Sequence, residues 1–224
     1  MRNMKKVLSL TLASAMVLSL AACGGKTAAP ETTAAPDAAT TAADETTAAE
    51  TKAASGTFDI AVCLASEPQS IDPALNSAVD GGIMINHFFE GLAKRVDDGN
   101  GNAILAPGQA ESWEKKPNDD GTVTYTFKMR DGIKWSDGKP VTAGDFVYSW
   151  QRLAKPETTA DYTYMIDMVK GYAEIAAGEA DASTLAVTAI DDKTLEVVLT
   201  YDCPYFEEVL AFPATYPVRE DMAE

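Results

Sequence analysis

A mixed α/β fold is what this 224-residue sequence predicts, and three observations carry the prediction. Apolar residues alternate at Val123, Tyr125, Phe127 and Met129, the period-two pattern of a strand with one buried face. At Thr142 the period becomes helical, and Phe146, Val147, Trp150 and Leu153 fall on one face. Asp-Gly pairs beginning at Asp98, Asp120, Asp131 and Asp137 mark tight turns between such segments, since each supplies a side-chain acceptor followed by a permissive backbone. Strands and helices mixed in this way describe an α/β or α+β body.

The first 56 residues stand outside that body. Arg2, Lys5 and Lys6 precede the apolar run VLSLTLASAMVLSLAA, which meets the small-residue sequence Leu20-Ala21-Ala22-Cys23. A basic start, a short apolar run and a small-residue cleavage site make an export signal over residues 1–22. The run is short for a spanning helix, which needs about 20 apolar residues. Leu20 to Cys23 resembles the bacterial lipobox, so Cys23 is expected to be the lipidated first residue of the mature protein. Residues 24–56 repeat Glu-Thr-Thr-Ala-Ala at 31–35 and 45–49, with Pro30 and Pro36 among them. Such a segment offers too little apolar surface to offset the entropy of ordering, and reads as a disordered Ala/Thr-rich tether.

From Thr57 onward each element has a local reason. Phe58, Ile60, Val62 and Leu64 alternate as a strand that stops at Glu67-Pro68. Val79 to Phe89, with Ile83, Met84 and Phe88 apolar, reads as a helix after the Gly81-Gly82 entry. Glu90 to Val96 is a strand running into the turn Asp97-Asp98-Gly99-Asn100-Gly101. Thr122 to Met129 follows the hairpin signal Asp120-Gly121. Thr142, with Asp145 three residues on, forms a capping box with Asp in place of Glu, and Pro156 closes that helix. A further helix is expected over Tyr164 to Ala177, with Met165, Met168, Val169, Tyr172 and Ile175 inward and Gly178 ending it. Val187 to Ile190 and Leu195 to Leu199 form a hairpin about Asp191-Asp192-Lys193. Pro204 suits the first turn of a helix running to about Leu210.

The net charge is −16, and it becomes −19 once Arg2, Lys5 and Lys6 leave with the signal. That surface is repelled by phosphate backbones, which excludes nucleic acid as a partner class. It also suits anionic membranes poorly, which leaves the lipid as the attachment. Cys63 and Cys203 read as two buried, unpaired thiols in a compartment that permits disulfides. Nucleophilic catalysis with a histidine base would have to use His87, the chain's single histidine, which reads instead as a helix residue packed by its neighbours. Asp98-Gly99-Asn100-Gly101-Asn102 is similar to a calcium loop but places Ala103 and Gln109 where glycine and a bidentate glutamate are needed. The four acids before glycine read as turn residues, and the aromatic set as core or as pocket walls. No metal or cofactor is implied.

The order of the motifs is more specific than any one of them. Glu67-Pro-Gln-Ser-Ile-Asp-Pro73, Phe89-Glu-Gly-Leu92, Pro107-Gly-Gln-Ala-Glu-Ser-Trp113, Tyr125-Thr-Phe-Lys-Met-Arg130, Lys134-Trp-Ser-Asp-Gly-Lys-Pro-Val-Thr-Ala143 and Asp145-Phe-Val-Tyr-Ser-Trp150 follow in succession. The series resembles the extracellular solute-binding proteins of peptide ABC transporters, family 5. The resemblance continues through Asp191-Asp-Lys-Thr-Leu-Glu-Val197 and Pro204-Tyr-Phe206, and covers residues 57–224.

It implies a two-lobed clamp of the periplasmic-binding-protein type, with residues 57–90 starting a discontinuous main lobe. Residues 91–215 would form the small lobe, and 216–224 return toward the main lobe, so that the chain represents an amino-terminal part of the fold. Peptide would be held by strand-like pairing and terminal capture between closing lobes. The stretch from Asp131 to Trp150 is then scaffold. Asn76, Ser77 and Ala78 match the strand that pairs with the peptide backbone. Some members carry an acid where Ser77 stands, so that acid's role in recognising a charged terminus has no equivalent at this position. Tyr162 matches a small-lobe tyrosine facing the peptide, and packing at a helix start is the other role open to it. The acid that captures the peptide amino terminus would lie in the other lobe, beyond Glu224. The expected activity is capture of oligopeptides, without covalent change, by a monomer lipid-anchored outside the bacterial cell membrane, for delivery to an ABC permease. Alternatives left open are dipeptides, nickel complexes or other small solutes on the same fold, or a surface protein for peptide sensing or adhesion.

Overall fold

The computed structural model describes residues 61–223, which fall within one compact unit. The export signal, Cys23, the tether and residues 57–60 of the expected first strand lie outside the described residues. Residues 61–64 form no strand, and Val62 is exposed, which corrects that part of the expectation. Alternation licenses a strand only where a sheet edge is offered, and here the four-stranded sheet is built from later segments. Cys63 is correspondingly exposed and free, against the expected burial, whereas Cys203 is buried and free as expected.

Helix α1 (Val79–Phe88) leads into a two-stranded antiparallel ribbon of β1 (Ala93–Asp97) and β2 (Ala103–Pro107). β3 (Ala110–Pro117) and β4 (Val123–Met129) form the next hairpin. After α2 (Ala143–Ala154), 3-10 turns and the short α3 (Tyr172–Ala176) come β5 (Val187–Asp191) and β6 (Thr194–Leu199). The larger sheet has the order β3-β4-β6-β5, antiparallel throughout. The chain then passes through α4 (Phe206–Val209) to α5 (Glu220–Ala223).

One face of that sheet is covered by α2, and the reason is written in both patterns. Val123, Tyr125, Phe127 and Met129 on β4 and Leu195, Val197 and Leu199 on β6 are buried, while the residues between them are not. Phe146, Trp150 and Leu153 of α2 are fully buried against them. Phe206 closes the aromatic cluster, with its ring 4.8 Å from Tyr125 and edge-on to Trp150 at 6.3 Å. Trp150 Nε1–H donates to the Thr215 carbonyl at 3.0 Å, so the largest core side chain also satisfies its polar atom.

The Asp145 carboxylate accepts the Thr142 backbone N–H at 2.8 Å and its hydroxyl at 3.1 Å, the reciprocal half of the expected capping box. Replacing Asp145 with Ala is expected to cost about 0.5–2 kcal/mol, measured as a lower urea midpoint with an unchanged slope.

The helix expected over Tyr164 to Ala177 is broken. A 3-10 turn at Thr163–Ile166 and α3 flank Gly171, whose φ of 92° ends any continuous helix. Between them the backbone serves the sheet instead. Lys170 N–H donates to the Val198 carbonyl at 2.9 Å, and Thr200 N–H to that of Met168 at 2.9 Å. Met168, Val169 and Ile175 are buried as the helical pattern required, so the inward set is right and its backbone geometry is not.

Candidate functional site

The residues before α1 form a knot of hydrogen bonds. Asp72 takes the Arg152 guanidinium in two contacts, 2.9 and 2.7 Å, and accepts the Ala74 N–H at 2.9 Å. This bidentate pair fixes the segment to α2 across 80 residues of sequence. Asn76 is 8% exposed; its Oδ1 accepts the Ala78 N–H at 3.3 Å and its Nδ2 donates to the Ala78 carbonyl at 3.0 Å. A Cβ at Gly81 would stand 2.0 Å from that Oδ1, so glycine is what lets α1 lie against Asn76.

Asn76 is therefore spent on the local fold. Ser77 is exposed, and among the described residues its backbone N–H and C=O make no hydrogen bond. Ala78 is extended, with φ −103° and ψ 150°, immediately before the helix. The three residues are not in a strand; Ser77 alone leaves its backbone groups unbonded among the described residues, since the Ala78 carbonyl also accepts the Gly82 N–H at 3.0 Å.

Tyr162 lies elsewhere. Its ring packs edge-on to Phe212 at 5.1 Å and stands 6.0 Å from Tyr164, at the start of the 3-10 turn that follows it. Among the described residues, no hydrogen bond or ring contact joins it to residues 76–78.

A cleft of about 1300 Å³ has a wall that includes none of those four residues. Ile71, Phe88, Trp135 and Met222 supply apolar wall, and Glu90, Arg130, Asp137 and Arg219 supply charge. The charges answer one another. Arg130 pairs with Glu90, which also takes Lys94 at 2.8 Å. Arg219 meets Asp137 and Asp221 at 2.5 Å each. Its guanidinium and an adjacent Lys139 hold the Asp221 carboxyl down at about 2. Asp131, at the rim, pairs with Lys193. His87, on the same wall, is exposed and has Nδ1 2.7 Å from the Ile83 carbonyl, one turn back along α1. The neighbours expected to pack it do not cover it.

The acids before glycine are turn residues. Gly99, Gly121, Gly132 and Gly138 have φ between 75° and 89°. Asp98 Oδ1 accepts the N–H groups of Asn100 (2.7 Å) and Asn102 (3.1 Å), and Oδ2 accepts the Asn102 side-chain amide at 3.0 Å. The carboxylate is saturated by its own loop instead of facing a cation. The Asn102 amide, then the two backbone donors, lower its pKa to about 2. A depressed carboxyl stabilises the folded state above the ordinary aspartate range and loses that contribution as pH falls through about 2. Protection of the Asn100 and Asn102 amides from hydrogen exchange is therefore expected to persist at pH 4 and fall toward pH 2. Loss at pH 4 would contradict the assignment.

Sequence reasoning found the turns and the scaffold but not the cleft. The Glu90–Arg130 and Asp137–Arg219 pairs form only when the fold brings distant segments together, and Gln109 sits in a segment with no regular alternation.

Comparison with known proteins places these features in context. The model of "Bacterial extracellular solute-binding proteins, family 5 Middle" matches residues 105–224. The periplasmic oligopeptide-binding protein OppA of Salmonella typhimurium is 41% identical over 161 residues, which are 71% of this chain and 28% of the relative. The oligopeptide-binding protein OppA of Bacillus subtilis is 37% identical, over 77% of this chain and 30% of the relative. Among solved structures, OppA of Listeria monocytogenes bound to peptide matches with a TM-score of 0.62 and 39% identity, over 68% of this chain and 29% of that one. Haemophilus influenzae OppA in complex with the peptide RPPGFSPFR matches at 0.64 and 35% identity, over 70% and 29%. The chain thus spans under a third of the length of these relatives.

Proposed function

Since the chain belongs to the bacterial extracellular solute-binding proteins of family 5, we propose that it serves a receptor that captures oligopeptides outside the cell membrane for an ABC permease. The observation that carries this reading is that relatives named for oligopeptide binding are 37–41% identical to it, and that two matching structures hold peptides. The Ser77 backbone, unbonded among the described residues, supports strand-like pairing with an extended peptide, with Asn76 holding the adjacent Ala78 in place through bonds to its N–H and C=O. Tyr162 contributes an aromatic wall whose angle Phe212 sets. Residues 91–215 act as the small lobe between segments of a discontinuous main lobe.

The protein works as a monomer and binds without covalent change. Cys23 carries the lipid that keeps the receptor at the membrane, and residues 24–56 tether the folded body to it.

The test is a graft. Residues 61–223 replace the matching segment of the Bacillus subtilis relative, and calorimetry measures binding of a mixed set of short peptides, a sugar and a nickel chelate. Micromolar or tighter peptide binding, about −8 kcal/mol, is expected. A folded graft that binds the sugar or chelate and no peptide would contradict the proposal.

A further inference from the structure

Five asparagines lie among the described residues, and four of them have a side-chain amide firmly engaged. Asn76 is bonded to Ala78 through both ends of its amide. Asn86 donates to the Gly82 carbonyl at 2.9 Å and accepts the Tyr216 hydroxyl at 3.0 Å. Asn102 donates to Asp98 Oδ2 at 3.0 Å, and Asn118 to the hydroxyls of Thr122 and Thr124 at 2.9 Å each. Asn100 differs. It is exposed at the tip of the β1–β2 ribbon, and its amide meets only the Asp98 carboxylate, in the weakest of the contacts that group makes.

Asn100 is also the one among these five that precedes glycine. Gly101 has φ of 85°, and a Cβ there would meet nothing within 4 Å, so its nitrogen stands in open space with no side chain over it. The Gly101 N–H donates to Asp97 Oδ1 at 3.3 Å, longer than the 2.7 to 3.1 Å of the other bonds in this turn. The nitrogen after Asn102, by contrast, belongs to Ala103, which carries a Cβ and is paired with Asp97 in the ribbon.

We propose that Asn100 is a site of spontaneous deamidation in the folded protein, through a ring closed by the Gly101 nitrogen. Asparagine is among the thermolabile residues, and two groups held next to each other in one turn react without an encounter step. The Gly101 nitrogen bonds to Asn100 Cγ and gives up its proton to solvent. The bond from Cγ to the side-chain nitrogen breaks, and that nitrogen takes a proton and leaves as ammonia. Water then opens the cyclic imide without any change of oxidation state. Opening at the side-chain carbonyl gives aspartate, and opening at the main-chain carbonyl gives isoaspartate, whose backbone runs through the side-chain methylene.

Either product sets a new negative charge beside Asp97 and Asp98, and like charges so close repel. Isoaspartate also lengthens the main chain inside a turn closed by the bond from Asp98 N–H to the Asn102 carbonyl at 3.0 Å. The ribbon tip therefore ages toward a looser and more acidic form. This chemistry stands apart from the receptor reading.

The test incubates the full, folded chain at neutral pH over days. Peptide mapping by mass spectrometry reads the conversion of amide to acid at each asparagine, and an isoaspartyl methyltransferase reports the isoaspartate. Conversion is expected at Asn100 many-fold faster than at Asn76, Asn86, Asn102 or Asn118, with faster exchange of the Asn102 amide in the aged fraction. Gly101→Ala is expected to slow it several-fold, because a methyl group then shields the attacking nitrogen. An Asn100 that stays intact in the folded chain overturns the proposal, as does conversion confined to chain unfolded in urea. A Gly101→Ala chain that converts at the unaltered rate overturns it too, by excluding the bare glycine nitrogen as the reason for the site.

Discussion

Trp150→Ala is expected to destabilise the folded body by about 3–5 kcal/mol, a drop of roughly 2 M in the urea midpoint. Three losses add at this position. The indole is fully buried, so its removal leaves a cavity between α2 and the sheet. The edge-on contact with Phe206 at 6.3 Å disappears, and with it one side of the aromatic cluster. The Thr215 carbonyl loses the donor that holds it at 3.0 Å. Thr215 lies in the segment where the chain leaves the sheet, and Val218 N–H is bound nearby to Ser149 Oγ at 2.8 Å. Loosening is therefore expected to spread to residues 213–218, seen as faster amide exchange at Tyr216 and Val218. A midpoint unchanged within error would show that the core is assembled differently.

Gly91→Ala is the second large effect. A Cβ there would stand 2.4 Å from the Leu210 carbonyl oxygen and 2.6 Å from the Tyr216 ring, closer than real Cβ contacts allow. The obstacle on one side is backbone, and on the other a ring whose hydroxyl is 3.0 Å from Asn86 Oδ1 and 3.1 Å from the Ala211 carbonyl. Neither can move without breaking a hydrogen bond. The expected cost is about 1–3 kcal/mol or more, with displacement of the Tyr216 ring visible in its aromatic resonances. Gly144→Ala is the control. Its Cβ meets nothing closer than Thr142 Oγ1 at 3.4 Å, in the first turn of α2, and the change is expected to stabilise by about 0.4–1 kcal/mol. Opposite signs for one chemical change would identify the crossing at Gly91 as the cause. Equal effects would contradict the close approach.

Gly91 also shows what could be read from sequence and what could not. Local patterns sufficed wherever one element decides its own geometry. The alternation on β4, the capping box at Thr142 and the turn acids were legible because period, cap and turn chemistry act over a few residues. The 164–177 helix failed because pairing of Lys170 and Thr200 with distant carbonyls outweighed a good helical pattern. β3 escaped because it is an edge strand whose residues are mostly exposed, so no alternation marks it.

At the candidate site the same division holds. The positions of Asn76, Ser77, Ala78 and Tyr162 came from likeness to a family, and nothing in their own spacing pointed to peptide. The Asp72–Arg152 pair that anchors the 72–78 segment, like the Glu90–Arg130 pair in the cleft, joins residues far apart in the chain. Contacts of that kind depend on topology, and no local period encodes them.

The most direct test of the account is native mass spectrometry of the protein isolated from its bacterial membranes, before any ligand is added. A receptor of the proposed kind is expected to begin at Cys23, to carry the mass of its lipid there, and to release a mixture of short peptides on activation. Release of a single sugar, metal chelate or other non-peptide solute, or a protein with an intact amino terminus and no lipid, would contradict it.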